Sequence, residues 1–223
     1  MGTILYGVFV IISIIVSLRF WLKSSKDDDR LLLVYFGSLA GAFIGAKIAY
    51  LLSEGWLYSG ENAWRYWLSG KSVTGALLGG FLGVELVKKL VGYEKPTGDK
   101  FALIIPFGII IGRLGCLCHG CCGGVHLDSG LQWPAVPVEI VFNLLIWWVM
   151  FQLYRAKVFR YQLFHLYLLF YGVFRFGHEF MRSTPKVILG MSGYQWIALV
   201  MIIVALVTYF KRQSNMTQEK GQN

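Results

Sequence analysis

Seven apolar runs, each about long enough to cross a lipid bilayer, constrain this 223-residue chain more than any other feature. A helix needs about 20 apolar residues to span about 30 Å of hydrocarbon. Charged residues make up only 15% of the chain, well below the roughly 25% of a soluble domain. The sequence therefore predicts an all-α polytopic membrane protein. Its seven transmembrane helices are expected at residues 4–22, 31–52, 72–91, 101–118, 136–154, 161–181 and 191–210.

The basic residues between the runs predict the orientation. Thirteen lysines and arginines follow the first, third, fifth and seventh runs, and four lie in the opposite segments. Because basic loops remain cytoplasmic, we expect the N-terminus outside and the C-terminus in the cytoplasm. The formal charge of +9 then reflects topology, and nucleic-acid binding is not expected. Residues 1–212 are predicted to form one membrane domain and residues 213–223 a polar, disordered cytoplasmic tail.

Small residues recur every fourth position in the second and third runs. The rows are Gly37, Gly41 and Gly45, followed by Gly75, Gly79 and Gly83. Such rows let helix backbones approach closely in lipid. We expect the second and third helices to pack against each other along them.

Several cations lie within the apolar runs at a similar depth. Counted at 1.5 Å per residue from the nearest cytoplasmic charge, Arg113, Arg175 and Lys47 lie roughly 20–25 Å into the membrane. Tyr6, Glu139 and Glu179 fall in the same outer half. Intramembrane charges are expensive and usually functional. With two carboxylates against three cations, the group should bind an anion such as a lipid phosphate. The alternative is a structural ion-pair network that ties three helices together.

All four cysteines and one histidine cluster at the outer end of the fourth run. The order is Cys116, Cys118, His119, Cys121 and Cys122. This spacing does not match the paired C-x-x-C sets of structural zinc sites, and adjacent cysteines rarely ligate one tetrahedral ion. We expect no cofactor and no metal here. A metal site formed by these five residues, a redox pair or disulfide, and small packing residues in a tight turn remain open alternatives. His119 is a candidate general base or a structural histidine.

Motifs along nearly the whole chain resemble those of the prolipoprotein diacylglyceryl transferase family. Tyr6-Gly7 is similar to a Tyr-Gly pair early in the family pattern. The segment from Gly45 to Tyr50 is similar to the motif Gly-Gly-Arg-x-Gly-Tyr, with Lys47 in place of the arginine. The segment from Gly112 to Gly115 resembles the start of the family signature, and Gly124 its last glycine. Pro134 and Glu139 fit the ends of Pro-Thr-Gln-x-Tyr-Glu, and the segment from Arg175 to Arg182 reproduces Arg-Phe-x-x-Glu-Phe-x-Arg.

The resemblance implies a bacterial enzyme of lipoprotein biosynthesis in the plasma (inner) membrane. Such an enzyme transfers an sn-1,2-diacylglyceryl group from phosphatidylglycerol to the lipobox cysteine of a prolipoprotein, at a site toward the extracytoplasmic face. The implied catalytic residues are Arg113, Arg175 and Glu179, and His119 is the candidate catalytic base in this chain. The implied substrate-binding residues are Tyr6, Lys47, Arg113, Glu139 and Arg175.

The chain departs from the family pattern where protons are transferred. Thr74 stands at the place of the family histidine, Cys116 and His119 replace signature asparagines, and Cys121 replaces a signature glutamate. Two alternatives therefore stand beside the transferase. One is a thiol-redox or metal-handling membrane protein on the same scaffold, and the other is a non-catalytic phospholipid-binding protein.

Overall fold

The computed structural model describes residues 2–25, 28–128 and 130–221, and this part of the chain is helical. Eight α-helices follow one another: α1 (Gly2–Ser24), α2 (Arg30–Ser53), α3 (Ala63–Ser69), α4 (Val73–Leu90), α5 (Gly98–His119), α6 (Ala135–Arg155), α7 (Leu163–His178) and α8 (Gly193–Gly221). Short 3-10 helices occupy Gly55–Leu57 and Glu179–Met181. The all-α prediction is confirmed.

Among the residues that the structure describes, four segments are long and apolar enough to cross a membrane. They are Arg30–Ser53, Gly98–His119, Ala135–Arg155 and Gly193–Ser214. Many large apolar side chains on these helices point outward, as expected where lipid rather than water is the neighbour. The structure adds α3, which sequence analysis did not predict. This short helix carries the exposed Trp64, Tyr66 and Trp67, residue types that favour the membrane–water boundary.

Helices α2 and α4 pack directly backbone to backbone. A Cβ added at Gly41 would meet the Gly79 carbonyl and the Gly83 Cα, and one at Gly45 would meet Gly75 and Gly79. Ser72 begins α4 as its N-cap, because its hydroxyl accepts the Gly75 N–H at 3.2 Å. The predicted packing of the two glycine rows is therefore confirmed.

Replacing Gly79 with alanine should destabilise the protein by about 1–3 kcal/mol, because the new methyl group must push two helix backbones apart. Gly80→Ala is the matched control on the same helix. Its added Cβ would meet nothing closer than the Ser38 carbonyl oxygen at 3.4 Å. The measurement is the thermal unfolding midpoint in detergent. Equal midpoints for the two variants would contradict direct backbone packing of α4 against α2 at Gly79.

An aromatic core joins the other helices near the start of α5. Trp21 is fully buried, with ring centroids 4.5 Å from Phe101 and 5.5 Å from Tyr35. Asp99 accepts the backbone N–H groups of Tyr161 and Leu163 at 2.7 and 3.2 Å, which attaches the start of α7 to α5. Helices α5, α6 and α7 pack side by side. Their charged side chains lie at the end of the bundle formed by the last turns of α5 and α7 and the first turns of α6.

Candidate active site

Charged side chains from α5, α6 and α7 meet in one buried cluster. Glu139 of α6 is fully buried and lies 2.9 Å from Arg113 of α5 and 3.4 Å from Arg175 of α7. Arg175 also contacts Glu179 at 2.9 Å, and Arg182 lies 3.7 Å from the same carboxylate. A charge network therefore ties together three helices that are distant in sequence.

Hydroxyl groups hold the two carboxylates in place. Tyr171 donates to Glu139 at 2.8 Å, and Thr184 donates to Glu179. One turn further along α6, Asn143 donates its amide to the Glu139 backbone carbonyl at 2.8 Å and accepts from Tyr167 at 3.2 Å. These bonds leave Glu139 little freedom, so it sets the position of both guanidinium groups that it contacts.

The cluster has more positive charge than its carboxylates balance. Within the described residues it holds three guanidinium groups and two carboxylates. Several buried donors also lack a hydrogen-bond acceptor in this part of the chain: the Nε atoms of Arg113, Arg175 and Arg182, and Nη1 of Arg182. Buried donors without acceptors are costly. An anion with several oxygens would satisfy them.

A cavity of about 1010 Å³ opens beside the cluster, between α1, α2, α4, α5 and α7. Its lining includes Arg113, Arg175, Arg182 and Lys71 at one end and Thr97 and Gly98 at the other. At 1.5 Å per residue, the stretch of α5 from residue 98 to 113 is roughly 22 Å long. Most of the wall between these ends is apolar, with Leu39, Phe43, Leu77, Ile105 and Phe107 among its residues. The shape suits a ligand with one anionic end and a long apolar body.

Three of the four cysteines lie together beside Arg113. The sulfur atoms of Cys116, Cys121 and Cys122 are all within 4.8 Å of one another, and all three residues line the cavity. Arg113 Nη1 lies 3.9 Å from the Cys116 sulfur. Cys118 is exposed, and neither Cys118 nor His119 belongs to this group, so the sequence-based set of five candidate ligands reduces to three close thiols. The four cysteines are free thiols here, which differs from the disulfide alternative.

The loop after α5 is held against the end of α7. The Val125 N–H donates to the Met181 carbonyl at 3.0 Å, and the Ser183 hydroxyl donates to the Gly123 carbonyl at 3.1 Å. At Gly124 a side chain would collide with Trp133 and with the Met181 carbonyl, which explains the glycine. This attachment places Cys122 beside Arg182.

The electrostatic environment separates the two neighbouring loop thiols. A hydrogen bond from Cys116 lowers the pKa of Cys122 well below that of a free thiol, and Arg113 and Arg182 lower it further, against the opposing effect of burial. Burial raises the pKa of Cys121, and the nearby Cys122 charge raises it further. The surroundings therefore favour the thiolate form more at Cys122 than at Cys121.

The structure does not bring Lys47 to the arginines. Its amine donates to the backbone carbonyls of Trp67, Leu68 and Gly70 at 2.5–3.0 Å, and so holds the end of α3 against α2. The Tyr6 side chain lies outside the described part of the chain. His119 is the last residue of α5 and lines the cavity. Thr74 is buried against Ser72 at 2.8 Å.

Arg182 and Tyr171 are site residues that sequence analysis did not select. Arg182 is the last residue of the Arg-Phe-x-x-Glu-Phe-x-Arg motif and follows Glu179 by three positions, so the motif itself contained the signal. Tyr171 precedes Arg175 by one helical turn, which places both on one face of α7. Its hydroxyl could not be distinguished from those of other tyrosines without the position of Glu139.

Comparisons with known proteins show the family of the chain. The family model described as prolipoprotein diacylglyceryl transferase matches residues 3–211. A phosphatidylglycerol–prolipoprotein diacylglyceryl transferase of Dehalococcoides mccartyi (strain ATCC BAA-2266 / KCTC 15142 / 195) is 28% identical over 93% of this chain and 88% of its own length. The protein of the same name from Mannheimia succiniciproducens is 30% identical over 80% of this chain and 71% of its own. A second such transferase of Clostridium perfringens is 24% identical over 97% of this chain and 94% of its own.

Proposed function

The chain belongs to the prolipoprotein diacylglyceryl transferase family, and from that premise we propose that it transfers an sn-1,2-diacylglyceryl group from phosphatidylglycerol to a prolipoprotein cysteine. The relatives carry these two substrates in their names. The observation that carries the proposal is the arginine cluster, with unsatisfied buried donors, at one end of a long apolar cavity. The phosphate would bind the guanidinium groups and the acyl chains would lie along the apolar wall.

The reaction exchanges a carbon–oxygen bond for a carbon–sulfur bond. The acceptor thiolate attacks the glyceryl carbon that carries the phosphate, a thioether forms, and glycerol phosphate leaves with the electron pair of the broken bond. The phosphate gains one negative charge as it leaves. Donors that meet this charge in a dry site stabilise the transition state more than the ground state.

Each charged residue then has a distinct role. Arg113 and Arg175 bind the phosphate and stabilise the leaving group. Glu139, which contacts both, and Glu179, which contacts Arg175, set the guanidinium positions. Arg182 adds a third cation that faces the cavity. His119, at the cavity wall, accepts the proton of the acceptor thiol.

We also propose that the protein spans the bacterial plasma membrane seven times, by α1, α2, α4, α5, α6, α7 and α8. The distribution of basic residues supports an N-terminus outside and residues 213–223 in the cytoplasm as a tail to one membrane domain. In this orientation the arginine cluster lies toward the extracytoplasmic face, where a lipobox peptide is accessible. Tyr6 contributes to substrate binding from α1, and Lys47 acts indirectly, by holding α3.

The test is transfer by purified protein in phosphatidylglycerol vesicles to a peptide with one lipobox cysteine. We expect the peptide to gain one diacylglyceryl group by mass spectrometry, with one glycerol phosphate released per modified peptide. A peptide with serine in place of cysteine, and vesicles of phosphatidylethanolamine, are the controls. Tight binding of phosphatidylglycerol without any modified peptide would contradict the proposal and favour a non-catalytic lipid-binding protein.

A further inference from the structure

The thiols of Cys116, Cys121 and Cys122 form a compact triangle at the cavity wall. The sulfur atoms of Cys121 and Cys122 are 3.7 Å apart, and all three lie within 4.8 Å of one another. A zinc ion binds thiolates at about 2.3 Å, so sulfurs in its tetrahedral shell are about 3.8 Å apart. The triangle is therefore close to the size that a thiophilic ion needs, with little movement of the chain.

Backbone geometry explains how adjacent cysteines can both contribute. Gly120 ends α5 in the left-handed conformation at φ 70°, and the Cys121 N–H then donates to the Cys116 carbonyl at 3.2 Å. Cys122 also has a left-handed backbone, at φ 65°, which a residue with a side chain rarely adopts. These two turns fold the loop back over the end of α5. Neighbouring side chains, which would diverge in an extended chain, converge on Cys116.

The position of the triangle distinguishes it from a structural metal site. Structural zinc sites have four protein ligands, whereas catalytic sites have three and keep a fourth position open. All three cysteines line the same cavity as Arg113, and Arg113 lies 3.9 Å from the Cys116 sulfur. An ion held here would have its fourth position within reach of the phosphate-binding arginines.

We propose that Cys116, Cys121 and Cys122 bind a zinc ion whose fourth position takes the acceptor cysteine of the prolipoprotein. The identity of the acceptor rests on the proposed function, whereas the metal site does not. This assignment replaces the sequence-based expectation of no metal, because the structure brings together the two adjacent cysteines that the spacing argument kept apart.

The ion would activate the acceptor thiol for attack. A thiol that coordinates zinc would lose its proton, here to His119 at the cavity wall, and would become a nucleophile at neutral pH. The acceptor sulfur would then donate an electron pair to the glyceryl carbon, and glycerol phosphate would leave with the pair from the broken carbon–oxygen bond. The thioether product is neutral and a weaker ligand, so it leaves the ion and the three cysteine ligands remain.

The test of the metal site uses reduced, full-length protein in detergent, loaded with Co²⁺ in place of Zn²⁺. We expect one equivalent of metal, with sulfur-to-cobalt charge-transfer bands and the intense visible bands of tetrahedral coordination. Cys116→Ser, Cys121→Ser and Cys122→Ser should each weaken Zn²⁺ binding by about tenfold or more. The matched control is Cys118→Ser, which should bind as wild type does because Cys118 is exposed outside the triangle. An equal loss of Zn²⁺ affinity in all four variants would overturn the proposal. So would wild-type protein that binds no metal and forms a disulfide between two of these cysteines.

The role of the fourth position is tested by adding the acceptor peptide to the cobalt-loaded protein. A lipobox peptide with cysteine should shift the visible bands, and the serine peptide should not. An unchanged spectrum with the cysteine peptide would overturn the acceptor role. The result is independent of turnover. Transfer by metal-free protein would refute the role of the ion in activating the acceptor and leave the transferase intact, whereas a spectral shift without transfer would refute the transferase and leave the metal site intact.

Discussion

Arg113→Ala should lower the rate of diacylglyceryl transfer by about a hundredfold to a thousandfold, the usual loss when one donor to a developing anion is removed. Arg113 has an unsatisfied Nε donor and faces the cavity. Its contribution therefore increases as the phosphate gains charge. The measurement is the initial rate of glyceryl-peptide formation in phosphatidylglycerol vesicles.

The transfer rate of Arg113→Lys should fall between those of wild type and Arg113→Ala, because lysine keeps the charge but cannot bind the phosphate in a bidentate manner. Arg65→Ala removes an exposed arginine on α3 and should transfer at the wild-type rate. Glu139 retains Arg175 and Tyr171 as partners in the Arg113→Ala protein. The fold should therefore survive, and thermal unfolding checks this. Wild-type transfer by a folded Arg113→Ala protein would refute the assigned role.

Glu139→Ala should have the largest effect on stability, with an expected loss of about 3–5 kcal/mol. Glu139 is fully buried and contacts arginines from two other helices. Its removal leaves those guanidinium groups next to each other in a buried site, where repulsion and lost solvation act together. The measurement is the thermal unfolding midpoint in detergent or lipid discs.

The matched control is Glu85→Ala on α4. Glu85 pairs with Lys88 at 3.8 Å, but its side chain is 47% exposed. Removing this half-exposed carboxylate and its 3.8 Å contact should change stability by less than about 1 kcal/mol. If the two glutamate variants unfold at the same temperature, the buried network does not hold α5, α6 and α7 together. Transfer activity of Glu139→Ala then distinguishes lost arginine positioning from lost folding.

Contacts within one helix could be predicted from the sequence, because helical spacing alone determines them. Arg175 and Glu179 are four residues apart and form the expected pair at 2.9 Å. Glu85 and Lys88 behave in the same way at 3.8 Å. The contact between the glycine rows of α2 and α4 could also be predicted, because only small residues permit two helix backbones to approach so closely.

The position of Lys47 could not be predicted from its depth in the membrane. Counting residues along an axis gives the height of a side chain in the membrane, but not the direction in which it points. Lys47 lies on α2 and turns toward the carbonyls at the end of α3, a helix that the hydropathy pattern did not reveal. The third cation of the site is instead Arg182, which the loop beyond α7 carries to Glu179.

The sequence by itself determined the helical membrane fold, the family, and the residue types of the site, because hydropathy and motif spacing are local properties of the chain. Tertiary structure alone decided that Glu139 joins Arg113 to Arg175, that Arg182 takes the place expected for Lys47, and that three of four cysteines converge. The physical reason is that these contacts depend on helix rotation and on two left-handed backbone turns. Both are set by packing between segments distant in sequence.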